Sequence, residues 1–201
     1  MKYNIVKKLA VVTGIAAIGF SSATAAEQNV YTKFDAGVSF ISGMDVAGLS
    51  TSWKTGFATN GAAGLNLNEH FALELEGGWA TNGLKSIAGT AVNGVDLSAW
   101  SGFGNLVLKT NIAESASVFV AGGPGFIHGN LDGTGAGVGV INGSDTVFAA
   151  QAKAGVSLKV AEQMSVDLTY RARFAGGFDV VGLRASSSVN HQITAGISIG
   201  F

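Results

Sequence analysis

One stretch, HQITAGISIGF from His191 to Phe201, restricts the possible folds of this chain more than any other. Ile193, Ala195, Ile197, Ile199 and Phe201 fall on one parity, and Gln192, Thr194, Gly196, Ser198 and Gly200 on the other. Successive side chains of a strand point to opposite faces, so one face is apolar and the other small and polar. No charged residue interrupts the pattern, and it runs out to an aromatic side chain. Such a segment suits the closing strand of a membrane barrel, with Phe201 expected at the lipid–water boundary.

The other end reads differently. Lys2, Lys7 and Lys8 precede the apolar run Leu9 to Phe20, and small residues follow as far as Ala26. That run is shorter than the roughly 20 residues a membrane helix needs, so residues 1–26 are expected to be a secretory signal peptide. Residues 27–201 then form one barrel domain. Without the three signal lysines the net charge is −4 (9 − 13), which argues against nucleic acid as a partner. Cysteine is absent, which excludes disulfides and cysteine-type zinc sites. Charged residues make up only 12% of the chain, against about 25% in soluble domains.

Alternation explains this apolar, under-charged composition. Strands are expected at residues 30–41, 53–67, 71–80, 97–109, 117–127, 147–160, 164–174 and 191–201. The connections alternate between long and short, the asymmetry of outer-membrane barrels. Asn82-Gly83, Asn93-Gly94 and Asn142-Gly143-Ser144 read as turns, and the glycine-laden segment 128–145 as a loop. Strand 117–127 shows no clear parity. It holds the only proline, Pro124, whose missing N–H must break a ladder unless the flanking glycines form a bulge. The expected fold class is therefore all-β, an eight-stranded antiparallel up-and-down transmembrane barrel.

Alternation alone fits a soluble barrel with its apolar face inward equally well. Two features favour the membrane version. The polar faces carry too few charges for a soluble exterior. Phe40, Trp53, Phe57, Trp79, Trp100, Phe148, Tyr170 and Phe174 all fall near the long connections, as an aromatic girdle would. The run VFVAGGPGF, the block FAAQAKAGVSLKVAEQMSVDLTYRARF and the strand ending in Phe201 resemble the OmpA-like, opacity-type eight-stranded outer-membrane barrels of Gram-negative bacteria. That resemblance covers the whole of 27–201. It implies a cell outer membrane location, contact with lipid and lipopolysaccharide, and a monomeric state. It also implies biogenesis through periplasmic chaperones and the barrel-assembly machinery, with Ile197, Ile199 and Phe201 as the assembly signal. Ile199 stands where the family often has an aromatic residue.

The inward parities carry Lys33, Asp35, Glu74, Glu76, Lys153, Asp167, Arg171 and Arg173. Mixed signs in a lumen barely wide enough for side chains point to a pairing network that fills it. Arg171 and Lys153 are expected to meet Glu76, with Asp35 or Glu74 as second partner. His70, His128 and His191 are scattered, and neither a metal cluster nor a Ser–His–acid spacing stands out, so no metal, cofactor or catalytic site is expected. The expected function is that of a non-enzymatic outer-membrane surface barrel, a structural or surface-antigen protein whose exposed loops offer a surface for adhesion or for a host or phage ligand. Their Gly-, Ser- and Ala-rich composition, with few aromatics or arginines, weakens the case for a dedicated adhesin. The alternative is a small-solute pore with a narrow or gated lumen.

Overall fold

The computed structural model describes residues 29–42, 44–135, 139–180 and 183–201. The expected signal peptide lies outside them. Eight strands form the wall: β1 Val30–Ser42, β2 Gly56–Asn66, β3 Phe71–Ile87, β4 Val95–Ala113, β5 Ala116–Gly135, β6 Gly139–Lys159, β7 Met164–Ala175 and β8 Ser188–Gly200. Each pairs antiparallel with its sequence neighbours. β8 returns to β1 from Tyr31–Gly200 to Ser42–Val189, which closes the ring. Closure leaves no strand edge within the wall, as a membrane requires.

The faces follow the alternation. Phe34, Leu73, Leu75, Leu106, Val166, Leu168, Ile193 and Ile197 are exposed on the outer wall, whereas Asp35, Glu74, Asn105, Lys153 and Thr194 are buried inside. An apolar outside and a polar inside invert the soluble arrangement and match a lipid-facing wall.

The connections are where expectation and structure part. β3 continues to Ile87, so Asn82-Gly83 is not a turn. The chain reverses at Ala88-Gly89, both at positive φ (46° and 81°). The buried Asn82 amide instead ties neighbouring segments together, accepting from Ser39 Oγ at 2.9 Å and donating to the Ser39 and Lys54 carbonyls. Trp53 leaves the expected girdle. It ends a short strand, Leu49–Trp53, that pairs with the top of β3, and its ring packs against apolar residues at the barrel mouth. The other seven girdle aromatics lie on the outward parity, six of them more than a third exposed.

Segment 128–145 is not a loop. Most of it extends the β5–β6 hairpin, which stays paired from Ala116–Leu158 to Gly135–Gly139, with positions 136–138 outside the described residues. Asn142-Gly143-Ser144 therefore sits in β6 rather than in a turn. Backbone ladders need no side chains, so glycine does not prevent them. β5 shows no parity because it is apolar on both faces: Phe119, Ala121 and Ile127 are buried inside, while Val120 and Phe126 face out.

Pro124 makes a gap rather than a bulge. Its pairing with Ala150 of β6 is in register. On the β4 side the ladder runs to Phe103–Gly125 and resumes at Leu106–Gly122 without a register shift, omitting Gly104 and Asn105. Gly123 takes up the close approach, since a Cβ there would meet the Gly104 carbonyl.

Candidate functional site

The structure brings the eight inward charges into one lumen. Glu76 of β3 is the hub. Its carboxylate lies 2.6 Å from Lys153 Nζ, 2.8 Å from an Arg173 nitrogen and 3.1 Å from Arg171 Nε. Lys153 also pairs with Glu74, and Arg171 reaches Asp35 at 3.0 Å. Lys33 and Asp167 form a separate pair at 3.2 Å, nearer the short-turn end. Geometry explains the reach: β3 and β7 stand opposite in a ring of eight, and long side chains meet at the centre. Lys33, Lys153, Arg171 and Arg173 balance Asp35, Glu74, Glu76 and Asp167, so this set of eight carries no net charge. Burying unpaired charge is costly, and pairing is what makes this interior tolerable.

Amides and hydroxyls complete the network. Asn60 donates to Asp35 at 2.7 Å and accepts from Arg173 at 2.8 Å. Arg173 Nε donates to Gln151 at 2.8 Å, and Gln151 donates on to Asn105 at 3.2 Å. Tyr31 donates its phenol to Glu74 at 3.1 Å. The charge pattern alone did not draw Asn60, Tyr31 and Gln192, whose Oε1 accepts from Asn60 at 3.2 Å, into the site. Their inward parity on β1, β2 and β8 is the signal that finds them.

Apolar layers close the network above and below. Toward the short turns lie Ala72, Val107, Phe119 and Ala121, with Tyr31 beside them and Lys33 Nζ 4.2 Å from the Phe119 ring centre. Toward the long connections lie Phe103, Ile127, Val147, Ala149 and Ala175, capped by Met44, Phe178 and Ala185. The cap is tied across two connections. Val46 bridges Ala185, Ser186 N donates to the Asp45 carbonyl, and Asp45 N donates to Ser186 Oγ. A space of about 50 Å³ remains between Arg173 and Phe178. That is room for one or two waters at about 30 Å³ each.

The assembly residues lie on the outer wall of β8 and just beyond it. Ile197 and Phe201 are exposed, and Phe201 N donates to the Val30 carbonyl at 2.8 Å. His191, scattered in sequence, has company in space: Ser42 Oγ lies 3.0 Å from its Nε2 and Tyr170 OH 2.8 Å from its Nδ1. Among the described residues no cluster of three or more His, Cys, Asp or Glu could hold a metal ion.

Comparison with known proteins agrees with this architecture. Neisserial surface protein A superposes with a TM-score of 0.62 at 15% identity, over 86% of this chain and 97% of that one. The outer membrane protease OmpT of Escherichia coli gives 0.50 at 9% identity, over 90% and 99%. OprG of Pseudomonas aeruginosa gives 0.50 at 8% identity, over 84% and 95%. At these identities the likeness is one of fold, and it spans a surface protein and a protease alike. No curated protein matches the chain in sequence. Residues 13–201 match the family description of the outer membrane protein beta-barrel domain, and with the closed eight-stranded wall this makes the chain a member of that outer-membrane family.

Proposed function

We propose that the barrel is a closed scaffold that displays hairpins outside the outer membrane for recognition of an external ligand, rather than a conduit for solutes. The observation that carries this reading is the filled lumen: a neutral ionic layer between two apolar layers, under a cap tied from two connections. A pore needs a continuous wet path, and the space of about 50 Å³ above Arg173 has room for only one or two waters. The groove of about 500 Å³ lies on the outer wall instead, among Ala63, Leu65, Leu73 and Leu75, where hydrocarbon would fill it. A transmembrane strand needs about 9–11 residues. β5 and β6 run 20 and 21, so their hairpin has length to spare for display.

Planar bilayers containing the refolded protein are expected to show at most rare, small openings. Steady, large conductance would revive the pore reading. Cells with and without the protein should differ in attachment to the external surface they colonise. Removing 128–145 should abolish that difference while the barrel still folds; an unchanged difference would count against display by this hairpin.

Export under a signal peptide, chaperone escort and delivery to the barrel-assembly machinery belong to the same proposal, with Ile197, Ile199 and Phe201 as the recognised strand. Phe201 is a single side chain at the interface, worth at most about 1.5–3 kcal/mol of burial. Its deletion is therefore expected to lower outer-membrane yield in cells while leaving refolding into detergent largely intact. Equal cellular yields would remove the assembly role.

A further inference from the structure

We infer that Ser42, His191 and Tyr170 form a hydrolytic site on the outer wall, directed at acyl esters of membrane lipids. This goes beyond display by the hairpins and uses none of the luminal network. The three residues come from β1, β8 and β7, adjacent around the ring, and all face outward. Ser42 Oγ is 3.0 Å from His191 Nε2, and Tyr170 OH is 2.8 Å from His191 Nδ1. The Tyr170 and His191 rings also stack, with centroids 6.1 Å apart and planes 25° from parallel. This is the arrangement of nucleophile, base and positioning group that activates a serine.

Register explains the meeting. His191 pairs with Phe40 on β1 and with Ala172 on β7. The small Ala172 leaves the imidazole free to lean diagonally toward Tyr170 on one side and Ser42 on the other. When His191 donates its Nδ1 proton to the phenol oxygen, Nε2 presents a lone pair to Ser42, the tautomer a general base needs. The location supplies the substrate class. Phe40, Phe174 and Tyr170 belong to the aromatic girdle near the long connections, the depth at which headgroups join acyl chains. At that depth the ester carbonyl of a lipid in the outer leaflet would come within reach of the Ser42 hydroxyl.

The step balances without a cofactor. Ser42 Oγ bonds to the ester carbonyl carbon as its proton passes to His191 Nε2. The C–O ester bond breaks, and the leaving alkoxide takes that proton and departs as an alcohol. Water, deprotonated by the same imidazole, then cleaves acyl-Ser42, restoring the serine and releasing a fatty acid. Tyr170 stands where triads carry an acid, so it positions the imidazole but stabilises the imidazolium weakly, and turnover is slow. Covalent capture is therefore the sensitive readout.

The refolded barrel in detergent is treated with a fluorophosphonate and its adduct mapped by mass spectrometry. One adduct is expected, on Ser42, absent in Ser42→Ala. Loss of a general base slows reactions by about 10²–10⁴-fold, so His191→Ala and His191→Gln should label that much more slowly, with added imidazole restoring part of the rate in His191→Ala. Tyr170→Phe keeps the ring stack and should label at an intermediate rate. The different migration of folded and boiled protein reports that each variant still forms the barrel. Fatty-acid release dependent on Ser42 from phosphatidylethanolamine vesicles or from purified lipopolysaccharide identifies the source of the ester. Three results would overturn the site: labelling only at other serines, wild-type labelling in both folded His191 variants, or no Ser42-dependent release from either lipid.

Discussion

Glu76→Gln is expected to lower the stability of the barrel by roughly 3–5 kcal/mol, the cost of removing one partner from a buried ion pair. The reason is its position as hub. Lys153, Arg171 and Arg173 all converge on its carboxylate. Without that charge the layer becomes net positive, and Arg173 is left with its amide contacts to Gln151 and Asn60 and the face of the Phe103 ring, with no anion in contact. The glutamine NH₂ would also point a donor at cations that have only donors to offer. Arg171→Met should destabilise by a similar mechanism, leaving Asp35 with Asn60 but no cation in contact. The double substitution removes one charge of each sign and restores neutrality, so its loss should be smaller than the sum by about 0.5–3 kcal/mol. Denaturant midpoints of the refolded protein in detergent measure all three. Strictly additive losses would mean that the two side chains do not act as one network.

The same network marks how far the sequence could be read. Inward charges announce themselves because a two-residue period puts Glu74 and Glu76, or Arg171 and Arg173, on one face, and only one face of a membrane barrel can hold them. Apolar residues on the inner face make no such announcement. Phe119 and Ile127 share β5 with the outward Val120 and Phe126, so the pattern lost its contrast where the lumen is plugged. The cap was hidden for another reason: Met44 and Phe178 sit in connecting segments far apart in sequence, which local periodicity does not join.

Turn signals failed in one direction. Asn82-Gly83 and Asn142-Gly143 can make turns, but each found ladder partners; after Asn82-Gly83 the chain reverses only at Ala88-Gly89. Composition at such dipeptides permits a turn without requiring one, and the pairing strand decides. Ser42, His191 and Tyr170 were out of reach for the opposite reason. Ser42 and His191 are 149 residues apart, and only closure of β8 on β1 makes them neighbours.

The outer wall yields the second large effect. Leu75 is the most exposed large apolar side chain of β3, at 74%, four residues from Phe71 and four from Trp79. That places it midway between the two interfacial ends of the strand's outer face. Leu75→Arg should therefore cost about 2–4 kcal/mol for the barrel folded in lipid vesicles, while Phe71→Arg near the interface should cost about 0–1 kcal/mol for its charge. Neither change touches the lumen, and both residues face away from Glu74 and Glu76, so the difference between them reads depth alone. Detergent micelles deform around a charge more readily than a bilayer does, so the gap should narrow there. A soluble barrel with the opposite sidedness would bury both positions in its core and lose stability at each without regard to lipid. Equal losses at Leu75 and Phe71, or losses that do not depend on the bilayer, would therefore overturn the assignment of this face to the hydrocarbon. A gap that widens in thicker bilayers would support it, because Phe71 stays near the interface while Leu75 sinks further from it.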